Sequence, residues 1–283
     1  MEHINVIKVG GAVVEDPAAL ASLLDNFAQI PGAKVLVHGG GRSATRIAAS
    51  LGIESHMVGG RRVTDEQMLQ VVTMVYGGLV NKNVVASLQQ RGINAVGLTG
   101  ADMNLMLSHK RAPKQMKTDD GSVQTVDFGF VGDIDRVDGD MLATLISQGL
   151  VPVMAPLTHD GEGHLLNTNA DTIASQVACA LTPHYDVTLT FCFEKKGVLA
   201  NPDDEDSVIS NINEADFHRY VDEGVIAGGM RPKLENSFDA IHRGVNQVII
   251  TRADDPEGKQ GTVIREFEHI RAVTFAALIR LPI

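Results

Sequence analysis

The chain has 283 residues, enough for one large α/β domain or two lobes with an ample core. Hydrophobic residues make up 44% of the chain, Trp is absent and aromatic residues are 4%, so the core is expected to consist of Val, Ile, Leu, Ala and Met. The 35 acidic residues outnumber the 24 basic ones and give a net charge of −11. This balance argues against DNA or RNA as a partner, because phosphate contacts require clustered Lys and Arg.

The cysteines and the first residues of the chain predict the cellular compartment of the protein. Cys179 and Cys192 lie in no metal-binding or redox spacing and are expected to be buried thiols in a reducing compartment. The first strand begins almost at Met1, without the basic and apolar segments of a signal peptide. No stretch approaches the roughly 20 apolar residues of a membrane helix. We therefore expect a cytoplasmic protein without membrane association.

Strand-like and helix-like runs alternate along the chain. Strands are predicted at 4–9, 33–38, 94–98, 150–156, 186–193, 246–250 and 262–265. Helices are predicted at 16–30, 42–51, 64–91, 139–148, 171–181, 213–222 and 229–243, with Asp16 as one N-cap and a capping box that begins at Thr64. The fold class is therefore α/β: a three-layer sandwich with a mainly parallel central sheet.

The region from 104 to 137 departs from this alternation. Short polar and apolar residues alternate there, and turn residues at 117–122 interrupt them. This pattern predicts β-hairpins that lie over one end of the sheet.

Glycine clusters follow the first two predicted strands, and a lysine lies inside the first strand. Gly10-Gly11 and Gly39-Gly40-Gly41 fall at the carboxyl ends of strands, where parallel α/β folds bind ligands. One glycine pair could simply form a tight turn, and Lys8 could extend from an edge strand to solvent. Two clusters beside an in-strand lysine favour a phosphate site, since glycine lets backbone N–H groups approach an anion closely. The spacing is not that of a Walker A loop.

Ordered segments along the chain carry a family resemblance. They are IKVGG (7–11), VHGGG (37–41), GRRVTDEQM (60–68), LLNTNADTIA (165–174) and GVIAGGMRPKLENSFDAI (224–241). Together these segments resemble the amino acid kinase family, and within it the branch that phosphorylates the γ-carboxylate of an N-acylated L-glutamate in arginine biosynthesis.

The resemblance implies a catalytic set of charged residues. Lys8 matches the first-strand lysine that neutralises the transferred phosphoryl group, and Lys233 matches the second such lysine, on the nucleotide side. Asp171 matches the aspartate that holds both lysines. Phosphoryl transfer agrees with these roles, because it depends on in-line positioning and on cancelling charge on the equatorial oxygens.

The resemblance also implies the binding residues. Gly10, Gly11, Gly40 and Gly41 match the backbone donors around the phosphates, and Gly40 and Gly41 also contact the acceptor substrate. Arg62 matches the arginine that binds the substrate's α-carboxylate, where an Arg fork suits a planar group. Asn167 matches an asparagine that hydrogen-bonds the substrate.

Alternative interpretations remain open at several of these positions. Asp171 could be the N-cap of its helix, and Lys233 could be an exposed helical lysine. Arg61 could replace Arg62, and Asn169 could share the role of Asn167. His38 is predicted to be a packed strand-end residue rather than an acid or base.

The resemblance further implies ATP with Mg²⁺ as the phosphoryl donor and no metal-binding protein residue. It implies an acyl-amino-acid-binding and dimerisation lobe at 1–165 and an ATP-binding lobe at 166–283. Because no helix precedes the first strand, we expect a homodimer that arginine does not inhibit. Rival functions are a kinase for another carboxylate, such as N-acetyl-α-aminoadipate or aspartate, and a sensor that binds ligand without turnover.

The chain also departs from the family pattern. The family's Ser/Thr-Asp-Val-x-Gly turn is replaced by FEKKG (193–197), with Glu194 in place of the aspartate. The tail at 268–283 extends beyond the family's usual end. The hairpin segment over the acyl group is basic, so one of its cations could bind a charged acyl chain such as succinyl; the candidates are His109, Lys110, Arg111, Lys114 and Lys117. A solvated hairpin is the alternative.

Overall fold

A computed structural model describes residues 1–117, 123–228 and 230–266. The strands are β1 (His3–Val9), β2 (Ala33–His38), β3 (Met57–Val58), β4 (Arg61–Arg62), β5 (Ala95–Leu98), β6 (Met106–Lys110), β7 (Lys114–Lys117), β8 (Val123–Val126), β9 (Gly132–Val137), β10 (Val151–Met154), β11 (Leu157–His159), β12 (Leu165–Asn167), β13 (Asp186–Phe193), β14 (Asn211–Ile212), β15 (Gln247–Arg252) and β16 (Thr262–Ile264).

The helices connect these strands. They are α1 (Gly11–Glu15), α2 (Pro17–Gln29), α3 (Gly41–Ser50), α4 (Glu66–Val72), α5 (Asn81–Gln90), α6 (Gly139–Ser147), α7 (Ala170–Leu181), α8 (Glu214–Asp222) and α9 (Met230–His242). A π-helical stretch, Thr73–Val80, joins α4 to α5 in one long helix. The tail at 268–283 lies outside the described residues.

An eight-stranded sheet forms the centre of the molecule, in the order β14-β16-β15-β13-β1-β2-β10-β5. All neighbours are parallel except β15 and β16, which are antiparallel. The predicted α/β class with a mainly parallel sheet is therefore confirmed.

Side-chain alternation along β1 divides the core between the two faces of this sheet. Ile4 and Val6 join the cluster that includes residues of α6, α7, α8 and α9. Ile7 and Val9 join the opposite cluster, which includes residues of α2 and α5. Successive side chains of a strand point to opposite faces, so helices cover both faces and three layers result.

The region 104–137 forms β-structure, as predicted. Strands β6 and β9 pair antiparallel within a four-stranded sheet ordered β12-β11-β6-β9, and β7 and β8 form a separate antiparallel ribbon. The predicted turn at 117–122 falls almost entirely on residues outside the described part. The ribbon packs over the β3–β4 turn, because a Cβ built on Gly59 would lie 2.9 Å from the Met116 Cε.

The N-caps test two sequence predictions. The Asp16 carboxylate accepts hydrogen bonds from the amides of Ala18 and Ala19, as predicted. The capping box at Thr64 is wrong, because the Asp65 side chain caps α4 by accepting from the Met68 amide. Thr64 instead pairs through its backbone with the Phe128–Phe130 segment.

One helix of the described part, Glu66–Gln90, is long and apolar enough to cross a membrane when judged by length and composition alone. Its apolar side chains include Val71, Val75, Val84 and Leu88, which are fully or almost fully buried within the protein. The core helix of a soluble protein meets the same test, so the helix is weak evidence for a membrane.

Candidate active site

Lys8 lies at the carboxyl end of β1, on the sheet face that carries α7 and α9. It continues the face of Ile4 and Val6, and its side chain is almost fully buried. The Lys8 Nζ lies 2.7 Å from the Asp171 Oδ1. A buried ammonium needs polar or charged partners, and the first turn of α7 supplies a carboxylate.

Asn169, not Asp171, caps α7. The Asn169 side chain accepts hydrogen bonds from the amides of Asp171 at 2.8 Å and Thr172 at 3.1 Å. The alternative that Asp171 is the N-cap is therefore wrong. With the cap supplied by its neighbour, the Asp171 carboxylate is available to pair with Lys8.

Lys233 lies near Lys8 and Asp171, in the first turn of α9. Its side chain is half-buried, so the alternative of an exposed helical lysine is wrong. The Lys233 Nζ lies over the ring of Phe193, 3.4 Å from its centroid. Burial lowers the pKa of Lys233, the nearby Asp171 opposes this change, and the charge of Lys8 adds to it. The structure thus brings both predicted lysines and Asp171 to one place.

The two glycine loops contact each other at the ends of β1 and β2. A Cβ on Gly39 would lie 3.0 Å from the Gly11 nitrogen, and one on Gly40 would lie 2.9 Å from the Tyr76 Cδ1. A larger residue at either position would therefore force a neighbour to move. Gly10 and Gly40 are also the N-caps of α1 and α3, so no capping side chain covers the first N–H groups of these helices.

Two cavities meet at Gly41. The first has a volume of about 460 Å³, and its lining includes Gly10, Gly11, Gly41, Phe193, Met230 and Lys233. The second has a volume of about 230 Å³, and its lining includes Gly40, Gly41, Arg61, Arg62, Arg111 and Asn167. The first cavity is thus bordered by Lys233 and by glycines of both loops, and the second by three arginines.

Arg62 is buried and holds the start of α3. Its Nη2 donates to the Gly41 carbonyl and to the Thr45 hydroxyl, both at 2.8 Å, and its Nη1 donates to the Ser55 hydroxyl at 2.9 Å. Arg61 lines the same cavity but is exposed. The geometry places both arginines beside the cavity, and the choice between them as the carboxylate ligand stays a prediction.

Asn167 lines the second cavity from β12. Its Nδ2 donates to the Thr64 hydroxyl at 2.9 Å, which orients the amide. Asn169 lines the same cavity while it caps α7. Either asparagine can therefore contact a ligand, and their ranking stays a prediction.

His38 is fully buried at the end of β2. Its Nδ1 lies 2.7 Å from the Gly39 carbonyl oxygen, and its Nε2 lies 3.1 Å from the Asn81 Nδ2. Since a carbonyl can only accept, Nδ1 carries the proton and Nε2 accepts from Asn81. Burial lowers the pKa of His38 to about 4. The predicted packing role is therefore confirmed, and the neutral imidazole holds the second glycine loop.

Glu194 lies just past the end of β13, where the family pattern has an aspartate. Its Oε1 lies 3.5 Å from the Arg42 Nη2, and both side chains are exposed at the mouth of the first cavity. Beyond it, Lys195 and Lys196 pair with Glu205 and Asp206 of an acidic loop at 201–207. The loop therefore folds back onto these lysines.

Sequence reasoning missed several residues of these cavities. Phe193 lies beneath the lysines, Tyr76 packs against Gly40, and Thr64 orients Asn167. Phe193 was visible as a departure from the family turn. Tyr76 and Thr64 reach the site only through the packing of the long helix and the segment before it, and no local pattern indicates this.

Within the described residues, two groups of side chains are spaced so that they could hold a metal ion. They are Asp160 with Glu162 and His164, and Glu214 with His242 and Glu266. These groups are largely exposed, and neither lines the two cavities. Exposed acidic groups of this kind are common without a metal.

The amino acid kinase family model matches residues 3–252. The chain belongs to the amino acid kinase family. The predicted resemblance is therefore confirmed, and it extends over most of the chain.

Curated members of the family include close relatives of this chain. Acetylglutamate kinase from Bacteroides thetaiotaomicron is 61% identical over 265 residues, which cover 94% of this chain and 99% of the relative. Acetylglutamate kinase from Methanopyrus kandleri is 39% identical over 262 residues, which cover 93% of this chain and all of the relative.

Solved structures of other proteins share the fold of this chain. The smu.665 protein from Streptococcus mutans is 27% identical, covers 94% of this chain and gives a TM-score of 0.74. Carbamate kinase from Giardia lamblia, bound to AMP-PNP, is 16% identical, covers 94% of this chain and gives a TM-score of 0.64. The second likeness concerns the fold alone.

Proposed function

We propose that this amino acid kinase transfers the γ-phosphoryl group of ATP to the γ-carboxylate of an N-acylated L-glutamate, in the first place N-acetyl-L-glutamate, in arginine biosynthesis. The observation that carries the proposal is the meeting of Lys8, Asp171 and Lys233 beside two touching glycine loops. Relatives named acetylglutamate kinase, 61% identical over nearly their whole length, support it.

The proposed chemistry needs no general base. A γ-carboxylate oxygen, already ionised, attacks the γ-phosphorus, and the bond to the β–γ bridging oxygen breaks with its electron pair leaving on ADP. The product is an acyl phosphate. Lys8 and Lys233 would lie against the transferring group and cancel its negative charge, and Asp171 would keep the two ammonium groups from repelling each other.

The glycine loops would bind the phosphates through their backbone. The starts of α1 and α3, after Gly10 and Gly40, line the region where the cavities meet. Gly11 and Gly41 begin these helices and would donate to the β- and γ-phosphates. Arg62 or Arg61, with Asn167, would hold the acceptor in the second cavity.

Mg²⁺ would enter as the Mg·ATP substrate. Asp171 lies beside Lys8, and Glu194, which lines the first cavity, lies beside Arg42, so both carboxylates already have cationic neighbours. This arrangement favours a magnesium ion held by the β- and γ-phosphates and by water.

We also propose an acyl-substrate lobe at 1–165 and an ATP lobe at 166–283; Lys233 and Met230, which line the first cavity, support the second assignment. We further propose a homodimer, supported by Met74 and Leu79, which are 54% and 47% exposed on the long helix. Gel filtration tests the dimer, and elution as a monomer would contradict it.

The cytoplasm, which supplies ATP, is the expected location.

The activity is tested by ADP release with Mg·ATP and three acceptors: N-acetyl-L-glutamate, N-succinyl-L-glutamate and N-acetyl-α-aminoadipate. Hydroxylamine traps an acyl phosphate as a hydroxamate, so a coloured product identifies a carboxyl acceptor. We expect turnover with an acylglutamate, and its loss in Asp171→Asn. Turnover with aminoadipate alone would favour that rival. ATP binding without turnover on any acceptor would favour the sensor.

Arg111 supports a second candidate acceptor, N-succinyl-L-glutamate. It lines the second cavity, its Nε donates to both carboxylate oxygens of Asp133 at 3.1 Å, and its guanidinium holds the pKa of that carboxyl below its usual range. Lys110 lies over the Phe130 ring and His109 pairs with Asp135, and neither lines the cavity. Among the basic candidates whose side chains the structure describes, Arg111 is therefore the one that lines the second cavity.

The succinyl hypothesis is tested by the ratio of kcat/KM for the succinyl and acetyl acceptors. Under this second hypothesis the ratio exceeds one in the wild type and falls in Arg111→Gln, because an Arg fork binds a second carboxylate. Lys110→Gln is the matched control and should leave the ratio unchanged. Equal values for both acceptors, or a preference for acetyl, would end the hypothesis.

A further inference from the structure

Phe193 ends β13 at the carboxyl edge of the sheet, beside the two lysines. Lys8 pairs in register with Phe191, and Phe193 follows on the same face of β13. The rings of Phe191 and Phe193 stack with centroids 6.1 Å apart and planes 13° apart. The buried Phe191 thus supports the ring of Phe193, which lines the first cavity.

Both lysines lie near the face of this one ring. The Lys233 Nζ is 3.4 Å from the Phe193 centroid and the Lys8 Nζ is 5.3 Å from it. An ammonium within about 6 Å of an aromatic centroid is attracted by the negative face of the ring. Asp171 forms an ion pair with Lys8, and among the residues described by the structure no carboxylate forms one with Lys233.

We propose that Phe193 is a positioning residue that holds the ammonium of Lys233 over its ring, while Asp171 holds that of Lys8. The inference rests on the proposed roles of the two lysines in the kinase reaction. It assigns a different kind of partner to each lysine: a carboxylate to the first and an aromatic face to the second.

An aromatic face has an advantage over a second carboxylate at this position. The site must accept the triphosphate of ATP, and a further formal negative charge beside it would repel the nucleotide. The ring attracts an ammonium through its quadrupole and adds no formal charge. Phe193 therefore holds Lys233 without weakening the positive potential that the phosphates require.

Other charges also act on Lys233, and the experiment must separate them from the ring. Asp171 stabilises the ammonium, Lys8 destabilises it, and burial removes it from water. Arg42, Glu194 and Lys195 line the same cavity. A change that alters only the ring's electrons, and not its volume, isolates the contribution of Phe193.

Site-specific incorporation of mono-, di- and trifluorinated phenylalanine at position 193 makes this change. Each fluorine weakens the negative face of the ring. The pKa of Lys233 is followed by NMR of ¹³Cε-labelled lysine in the protein without substrates, and Lys233→Arg assigns its signal. We expect the pKa of Lys233 to fall with each added fluorine and the basic limb of the kcat–pH profile to move to lower pH. In Phe193→Leu, which removes the ring, we expect kcat to fall about tenfold.

Phe27 provides the matched control. It is fully buried, and its ring lies 5.2 Å from the Nζ of Lys34, away from the two cavities. Fluorination at position 27 should leave kcat and its basic limb unchanged, and Phe193→Tyr, which keeps the ring, should keep the pKa of Lys233.

An unchanged Lys233 pKa across the fluorinated series would overturn the inference, even if Phe193→Leu fails to fold. Because the NMR titration needs no turnover, it tests the ring separately from the activity. Absence of turnover with all three acceptors would instead refute the proposed function and leave the contact between the ring and Lys233 in place.

Discussion

Two lysines are buried in adjacent strands at opposite ends of the central sheet. Lys8 in β1 is 7% exposed and Lys34 in β2 is 6% exposed. Each has an aromatic ring close to its ammonium, Phe193 at 5.3 Å and Phe27 at 5.2 Å. Burial and a neighbouring ring therefore do not distinguish them.

The partners of the two ammonium groups differ. At the amino end of β2, the Lys34 Nζ donates to the carbonyls of Phe27, Ala28 and Ile30 and so satisfies the end of α2. At the carboxyl end of β1, Lys8 pairs with Asp171 beside an open cavity. The comparison teaches that a buried lysine acquires its role from the edge of the sheet at which it lies.

The largest expected effect is on turnover, in Lys8→Met. Removal of one electrostatic contact to the transferring group lowers kcat by about 10²–10³. ADP release under saturating substrates measures this loss, and thermal unfolding reports whether the fold survives. A kcat within tenfold of the wild-type value would remove the distinction between Lys8 and Lys34.

His38 lies near Lys8, at the carboxyl end of β2, but is expected to affect stability instead. Its pKa of about 4 in the folded protein is below its ordinary value of 6.5. As the pH falls below about 6.5, His38 becomes protonated in the unfolded chain but stays neutral in the folded protein. The free energy of unfolding is therefore unaffected by His38 above pH 6.5 and decreases as the pH falls towards 4. The loss approaches about 3 kcal/mol.

Urea unfolding at pH 7.5 and pH 4.5 measures this loss. Because many groups titrate over the same range, the relevant quantity is the difference between the wild type and His38→Asn. The variant should lack this part of the pH dependence. Equal pH dependence in both proteins would contradict a buried, neutral His38.

Lys34→Met tests the amino end of the sheet. The variant leaves the carbonyls at the end of α2 without their donor, so the free energy of unfolding should fall by about 1–3 kcal/mol. Turnover should stay within twofold, since Lys34 lines neither cavity. Urea unfolding and ADP release check the two parts, and a large loss of kcat at constant stability would reverse the comparison with Lys8.

The smallest effect is expected in the second cavity, where two adjacent arginines compete for one role. If Arg62 binds the substrate's α-carboxylate, Arg62→Gln should raise the KM for acylglutamate about tenfold or more, because a charge-assisted hydrogen bond contributes about 1.5–3 kcal/mol. Arg61→Gln is the matched control. A larger KM change in Arg61→Gln would transfer the role to Arg61 and leave Arg62 as the support of α3.

Local patterns predicted much of the fold correctly. Short runs rich in apolar residues located β1, β2 and β13, and Asp16 marked the start of α2. The local pattern gave a wrong prediction where a distant segment pairs with the same backbone. Thr64 has the sequence of a capping box, but its backbone pairs with Phe128 and Phe130, and Asp65 caps the helix.

The sequence by itself determined the glycine loops, the in-strand Lys8 and the family to which the chain belongs. Those features are local, since each depends on residue types at fixed spacing. Only the tertiary structure decided that Asn169 caps α7 and that Asp171 pairs with Lys8. It also placed Lys233 over Phe193. Each of these depends on which side chain a distant element brings within a few ångströms, because desolvated charges must be paired wherever the packed helices allow it.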